Sequence, residues 1–177
     1  MTDADSQAVA GGRDVHPGDL ACFEVAGRLF ALDVHQIREI VRWHDVTPLP
    51  RAPRLIEGVV DLRDAVIPVV DLGRALGGAP VAESPHARIL VLEIDGLVLG
   101  LRVDRAVDVL PLEGLAVEPP PALAMQAGYE AVRAVVRRPE APPVLVLSLD
   151  HLLEDVYRSA LPGAEEGAAP PAAGGAR

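Results

Sequence analysis

The sequence contains no lysine and only one cysteine, Cys22, among its 177 residues. A single thiol cannot form an internal disulfide or a cysteine-based zinc site, and this scarcity is typical of a reducing compartment. The 26 acidic side chains outnumber the 16 arginines and leave a formal charge of -10. Phosphate binding needs clustered cations, and only Arg137 and Arg138 are adjacent, so the composition argues against a nucleic-acid binder.

Long hydrophobic runs are also missing. The longest, such as ILVLEI and VLVLSL, have the length of one strand, whereas a membrane helix needs about 20 apolar residues. The first residues, MTDADSQAVAGGRD, lack the basic and apolar regions of a secretory signal. We therefore expect a cytoplasmic protein with no direct membrane insertion.

Catalytic and cofactor motifs are equally scarce. The stretch GRALGGAP lacks the lysine and the spacing of a phosphate loop, and no serine lies in a G-x-S-x-G motif. The best carboxylate cluster is Asp61, Asp64 and Asp71, but Asp64 is explained as a turn residue and Asp71 as a helix cap. We therefore predict that the chain is not an enzyme and binds no metal or cofactor, with a small-ligand-binding barrel as a less favoured alternative.

Composition divides the chain into three parts. Residues 1–18 and 159–177 are rich in Ala, Gly, Pro and acids, with few large apolar side chains, which predicts disordered tails. The region between them, residues 19–158, carries short apolar runs broken by turn residues. This pattern predicts one all-β domain with a few short helices.

Several predicted strands are apolar on both faces. In residues 88–93, for example, Ile89 and Val91 alternate with Leu90 and Leu92. A single barrel covers only one face of each strand, so the economical architecture is two small antiparallel barrels packed on each other. The predicted strands are residues 20–25, 28–32, 58–62, 66–70, 88–94, 97–103, 106–110, 131–136 and 144–149.

Local signals predict two hairpin turns and three helices. Asp95-Gly96 and, more weakly, Ala26-Gly27 separate apolar runs as type I′ turns do. A first helix is predicted from Asp33 as N-cap to about Trp43, because residues 34, 37, 40 and 41 are apolar at helical spacing. A second is predicted over residues 71–76 and a third from about residue 150.

The stretch Gly58-Val59-Val60-Asp61-Leu62-Arg63-Asp64-Ala65-Val66-Ile67-Pro68-Val69-Val70-Asp71-Leu72 resembles the hairpin of the CheW family of chemotaxis coupling proteins, Gly-Val-x-Asn-Leu-Arg-Gly-x-x-x-Pro-x-x-Asp-Leu. Three further segments resemble the family in the same order. They are FALDVHQIREIV, LGLRVDRAVDVLPL and VLVLSLDHLL. The resemblance spans roughly residues 20–155.

The resemblance implies two packed five-stranded SH3-like barrels and a non-catalytic scaffold. One surface would bind the regulatory domain of a CheA-type histidine kinase, and another the cytoplasmic hairpin tip of a methyl-accepting chemoreceptor, so the protein would be recruited to receptor arrays. The implied interface hairpin contains Gly58, Asp61, Arg63 and Asp64. The implied receptor-docking cleft contains Ile37, Glu39 and Ala106.

The chain departs from the family pattern beside the arginine. Asp61 and Asp64 replace the usual Asn and Gly, and two added carboxylates could pair with Arg63 and weaken a partner contact. An adaptor in a non-flagellar pathway, such as surface motility, remains an alternative function. Independently of the resemblance, an arginine at a hairpin tip is equally consistent with an ordinary polar turn residue and with a bidentate partner contact.

Overall fold

The computed structural model describes residues 18–43, 46–63, 65–122 and 130–160. The predicted tails therefore lie almost entirely outside the described residues. The described part of the chain forms eleven strands and two α-helices. The strands are β1 (Leu20–Val25), β2 (Arg28–Asp33), β3 (Ile37–Arg42), β4 (Ile56–Leu62), β5 (Ala65–Asp71), β6 (Arg88–Ile94), β7 (Leu97–Val103), β8 (Arg105–Leu110), β9 (Ala116–Glu118), β10 (Val132–Arg138) and β11 (Ala141–Leu147). The helices are α1 (Leu72–Ala75) and α2 (Leu149–Ala160).

The strands form two sheets that each curl into a barrel. The first has the order β8-β1-β2-β11-β10-β9, and its edge strands are consecutive in the chain, joined by residues 111–115. The second has the order β3-β6-β7-β5-β4 and closes where Thr47, beyond β3, pairs with Val59 of β4. The prediction of two packed barrels is confirmed, with the short strand β9 as a sixth member of the first.

Three apolar clusters explain why strands are apolar on both faces. Leu90 and Leu92 of β6 belong to a large cluster shared by both sheets, which is the core between the barrels. Ile89 and Val91, on the opposite face of β6, fill the second barrel. The first barrel has its own interior of buried residues, namely Leu20, Cys22, Ala31, Val136, Val144 and Val146. Each barrel thus covers the outer face of the other, as the periodicity predicted.

Both predicted hairpin turns adopt the expected backbone conformation. Asp95 and Gly96 have φ values of 50 and 81°, and Ala26 and Gly27 have 51 and 73°. Positive φ at both central residues is the requirement of a type I′ turn, whose twist matches the flanking strands. These turns join β6 to β7 and β1 to β2 as antiparallel neighbours.

The prediction of a helix from Asp33 to Trp43 is wrong. Asp33 does accept a hydrogen bond from the backbone N–H of His35 at 2.9 Å, but it caps only the single 3-10 turn Val34–Gln36. The chain then continues as β3, because Ile40 packs into the core between the barrels and Val41 into the second barrel. Apolar residues on opposite faces need a strand and not a helix.

The other two predicted helices are confirmed, and Asp71 has the structural role expected of a cap. Its carboxylate is buried and accepts hydrogen bonds from the backbone N–H groups of Arg74, at 3.0 Å, and Val81, at 3.0 Å. It therefore starts α1 and also fixes the loop that follows it. The longer helix, α2, buries Leu149 and Leu152 against the core between the barrels.

Candidate interaction surface

The hairpin formed by β4 and β5 presents Arg63 at its tip. The two strands pair antiparallel down to Leu62 opposite Ala65, and Arg63 follows in the left-handed region with φ 56°. An L-residue in this region is strained by roughly 1–2 kcal/mol, so the tight turn is maintained by the strand pairing below it. The side chain of Arg63 is 70% exposed. Asp64, the next residue in the chain, lies outside the described residues.

Arg63 forms an ion pair with Glu39 of β3. Arg63 Nη2 lies 3.4 Å from Glu39 Oε2, and the Glu39 side chain is 24% exposed. Sequence reasoning assigned these residues to two different surfaces, the hairpin and the receptor-docking cleft. The structure brings them together, so the two predicted surfaces meet at this ion pair.

Gly58 supports the hairpin where the second barrel closes. A Cβ atom at this position would lie 2.2 Å from the carbonyl oxygen of Thr47. That close approach allows Thr47 and Val59 to exchange two backbone hydrogen bonds, of 2.8 and 2.9 Å. The geometry gives Gly58 a structural role at the hairpin base.

The remaining residues from the sequence prediction occupy different places. Asp61 is exposed on β4 and is paired across the hairpin with Val66, an apolar side chain that is 66% exposed. Ile37 begins β3, half-buried against the core between the barrels. Ala106 is exposed on β8 of the first barrel, opposite Phe23 of β1. Only Glu39 and Arg63 among these residues are joined by an ion pair in the described part of the chain.

A second polar cluster was missed by sequence reasoning. Arg102 of β7 is buried, forms an ion pair with Glu57 of β4, and lies over the ring of Trp43 with its Cζ 4.6 Å from the ring centroid. Burial raises the pKa of Glu57, with Asp71 acting in the same direction, while the Arg102 charge lowers it. An arginine inside the apolar run LVLGLRV was the available signal, because an arginine is almost never fully buried without a partner.

Neither a metal centre nor a membrane helix emerges from the described residues. Their His, Cys, Asp and Glu side chains form no group of three or more that could hold a metal ion. None of their helices combines the length and the apolar character needed to cross a bilayer. The main exposed polar feature described so far is therefore the Arg63–Glu39 ion pair.

Comparison with known proteins assigns the chain to a family. The family model described as a CheW-like domain matches residues 19–157. The chain belongs to the CheW-like family. Among its CheW-like relatives, the chemotaxis protein CheW of Rhizobium meliloti is 31% identical over 160 residues, covering 90% of this chain and 99% of that protein. Protein FrzA of Myxococcus xanthus is 31% identical over 116 residues, covering 66% of this chain and 72% of its own.

A solved CheW structure has the same architecture. The scaffolding protein TtCheW from Thermoanaerobacter tengcongensis superimposes with a TM-score of 0.69 at 30% identity, covering 78% of this chain and 94% of that one. The family resemblance expected from the hairpin sequence is therefore confirmed across the domain.

Proposed function

We propose that this CheW-like chain is a chemosensory coupling protein, which links a CheA-type histidine kinase to the cytoplasmic hairpin tip of a methyl-accepting chemoreceptor. The observation that carries the proposal is the Arg63–Glu39 pair: an exposed guanidinium on a tight hairpin, held beside the strand that also carries Ile37. Family membership and the names of the relatives support the same role.

The chemistry of this surface suits recognition of protein segments. A guanidinium on a short turn can form paired hydrogen bonds to a carboxylate with little loss of backbone entropy. The exposed Val66 follows Arg63 closely in the sequence, and the half-buried Ile37 precedes Glu39. Both belong to the same barrel as the ion pair and add apolar area to it. Apolar contact together with oriented charge is a common way to bind a helical segment.

The coupling role needs no catalysis and no cofactor. Both barrel interiors are filled mainly by buried aliphatic side chains of their own strands, which supports a scaffold over a ligand-binding barrel. In this proposal the protein acts in the cytoplasm and is recruited to receptor arrays through its partners.

Co-sedimentation tests the proposal directly. Receptor-containing membranes from the same organism are mixed with its CheA-type kinase, with and without this chain. We expect the kinase to sediment with the membranes only when the chain is present. Kinase that sediments equally well without the chain would overturn the coupling role. Deleting the gene and scoring swimming separately from surface motility then distinguishes a flagellar pathway from a non-flagellar one.

A further inference from the structure

The side chains of Arg102, Glu57 and Trp43, which are buried or partly buried, meet in the second barrel. Arg102 is only 4% exposed, and its guanidinium contacts both the Glu57 carboxylate, which is 20% exposed, and the Trp43 ring. We call these three residues the clasp. A buried charge next to an aromatic face and a single carboxylate is unusual in a barrel otherwise filled by aliphatic residues.

The clasp joins the two edges of the sheet. Arg102 comes from β7 at the middle of the sheet, whereas Trp43 follows the edge strand β3 and Glu57 lies on the opposite edge strand β4. The register of β4 against β5 shifts between Ile56 and Gly58, so Glu57 is the extra residue of a β-bulge. A bulge re-aims a side chain, and here the Glu57 carboxylate reaches Arg102.

The buried Arg102–Glu57 ion pair is not expected to add much to the stability of the fold. Burying an ion pair removes hydration from both charges, and apolar replacement of such a pair is often neutral or stabilising. Within the described residues, Arg102 Nε and Nη2, Glu57 Oε2 and Trp43 Nε1 have no hydrogen-bond partner. The clasp instead fixes the relative positions of its members, because a planar guanidinium binds a carboxylate at its edge and an aromatic ring on its face.

We infer that Arg102 is a positioning residue, which clasps β3 to β4 from inside the barrel and thereby sets the spacing between Glu39 and Arg63. These two residues lie on β3 and at the end of β4, so the clasp and the surface ion pair connect the same two strands at two separate places. The backbone pair Thr47–Val59 is a third link between those edges. The functional consequence rests on the proposed coupling role, whereas the effect on strand spacing does not.

Strand spacing is tested first, without any partner. Cysteines replace Glu39 and Arg63 in a chain whose buried Cys22 is changed to Ala, and the rate of bridging by a short bismaleimide is measured. We expect Arg102→Leu to slow the bridging severalfold. Arg105→Leu is the matched control, because Arg105 also pairs with a glutamate, Glu24, but on the first barrel. Equal rates in the Arg102 and Arg105 variants would overturn the inference.

Trp43 is the sole tryptophan of the chain and reports on the clasp by fluorescence. The charges that act on Glu57 are Arg102 from β7, Asp71 at the end of β5 and Arg74 from α1. We expect an acid transition in the Trp43 emission with a midpoint above the ordinary pKa of a glutamate, and we expect Glu57→Gln to abolish it. A transition that persists in Glu57→Gln would show that the cluster does not act as a unit.

Further variants keep the test decisive if Arg102→Leu does not fold. If Arg102→Leu alone unfolds, the double change Glu57→Leu with Arg102→Leu removes both buried charges, and Arg102→Lys keeps the charge without the planar contact. Either folded variant should still show slower bridging than the control. Kinase capture is then measured with the native Glu39 and Arg63. Slower bridging with normal kinase binding would show that the clasp sets strand spacing without affecting partner binding. A wild-type chain that fails to bind the kinase would overturn the proposed function but not the inference about strand spacing.

Discussion

Arg63 Nη2 lies 3.4 Å from Glu39 Oε2, across the gap between a hairpin tip and an edge strand of the same barrel. The two residues were expected on separate partner surfaces. Their pairing implies that one continuous surface carries both, and that a partner carboxylate approaching Arg63 must compete with Glu39. In the described part of the chain Arg63 pairs with Glu39 and not with Asp61, and the anticipated contact with Asp64 remains a prediction because Asp64 lies outside the described residues.

Replacing Arg63 with Ala should affect binding and leave the fold intact. Exposed ion pairs contribute less than about 1 kcal/mol, so the melting temperature should change little. The amount of CheA-type kinase that the chain retains in a pull-down should fall strongly. Arg105→Ala, which breaks the exposed pair with Glu24, is the control and should retain capture. An Arg63→Ala protein that unfolds would contradict the interface assignment.

Gly58→Ala should destabilise the second barrel. The added Cβ would meet the Thr47 carbonyl oxygen at 2.2 Å, and steric overpacking of this kind typically costs about 1–3 kcal/mol. Gly78→Ala is a suitable control, because a Cβ there meets nothing closer than 3.4 Å. Urea unfolding of both variants checks the difference. Equal midpoints would contradict the structural role given to Gly58.

Ile37→Glu and Ile40→Glu should behave differently although both lie on β3. Ile37 is half-buried at the start of the strand, so a carboxylate there can reach water and the protein should stay folded while receptor binding is lost. Ile40 is buried between the barrels, where an unpaired charge should prevent folding. Circular dichroism and a receptor pull-down measure the two effects. A folded Ile37→Glu protein with normal receptor binding would refute the docking assignment.

Cys22 should be unreactive in the folded protein. Burial raises its pKa to about 11, with Asp108 acting in the same direction and Arg138 against it. At pH 8 the thiol is therefore almost entirely protonated, and thiolate is the reactive form. A chromogenic disulfide reagent should react slowly with the native chain and rapidly in denaturant. Since the folded pKa exceeds the ordinary 9.0, the stability linked to this group is complete below pH 9 and is lost as the pH rises through about 11.

The tails should be dispensable for folding. A chain trimmed to residues 18–160 should melt cooperatively at nearly the same temperature, because the removed segments offer few large apolar residues to bury. Trimming instead at residue 148 removes α2 with the buried Leu149 and Leu152, and should lower the melting temperature sharply. A large loss of stability in the 18–160 chain would show that a tail packs on the domain.

Much of the fold follows from the sequence because its determinants are local. Asp95-Gly96 fixes a type I′ turn through backbone conformation alone, and Asp71 caps a helix with its own side chain. The alternation of Ile89 and Leu90 on opposite faces of β6 predicts two covering layers, which the two barrels provide. The hairpin motif around Arg63 indicated the family for the same reason, since its residues are contiguous.

Other features were decided only by tertiary structure. Residues 37–42 have apolar positions compatible with either a helix or a strand, and the barrels on both faces of Ile40 and Val41 select the strand. The pairing of Glu39 with Arg63 depends on which strands close the second barrel. Arg102 meets Trp43 and Glu57 only because a bulge and a barrel closure bring three distant segments together. Such contacts arise from chain topology, and no local spacing in the sequence encodes them.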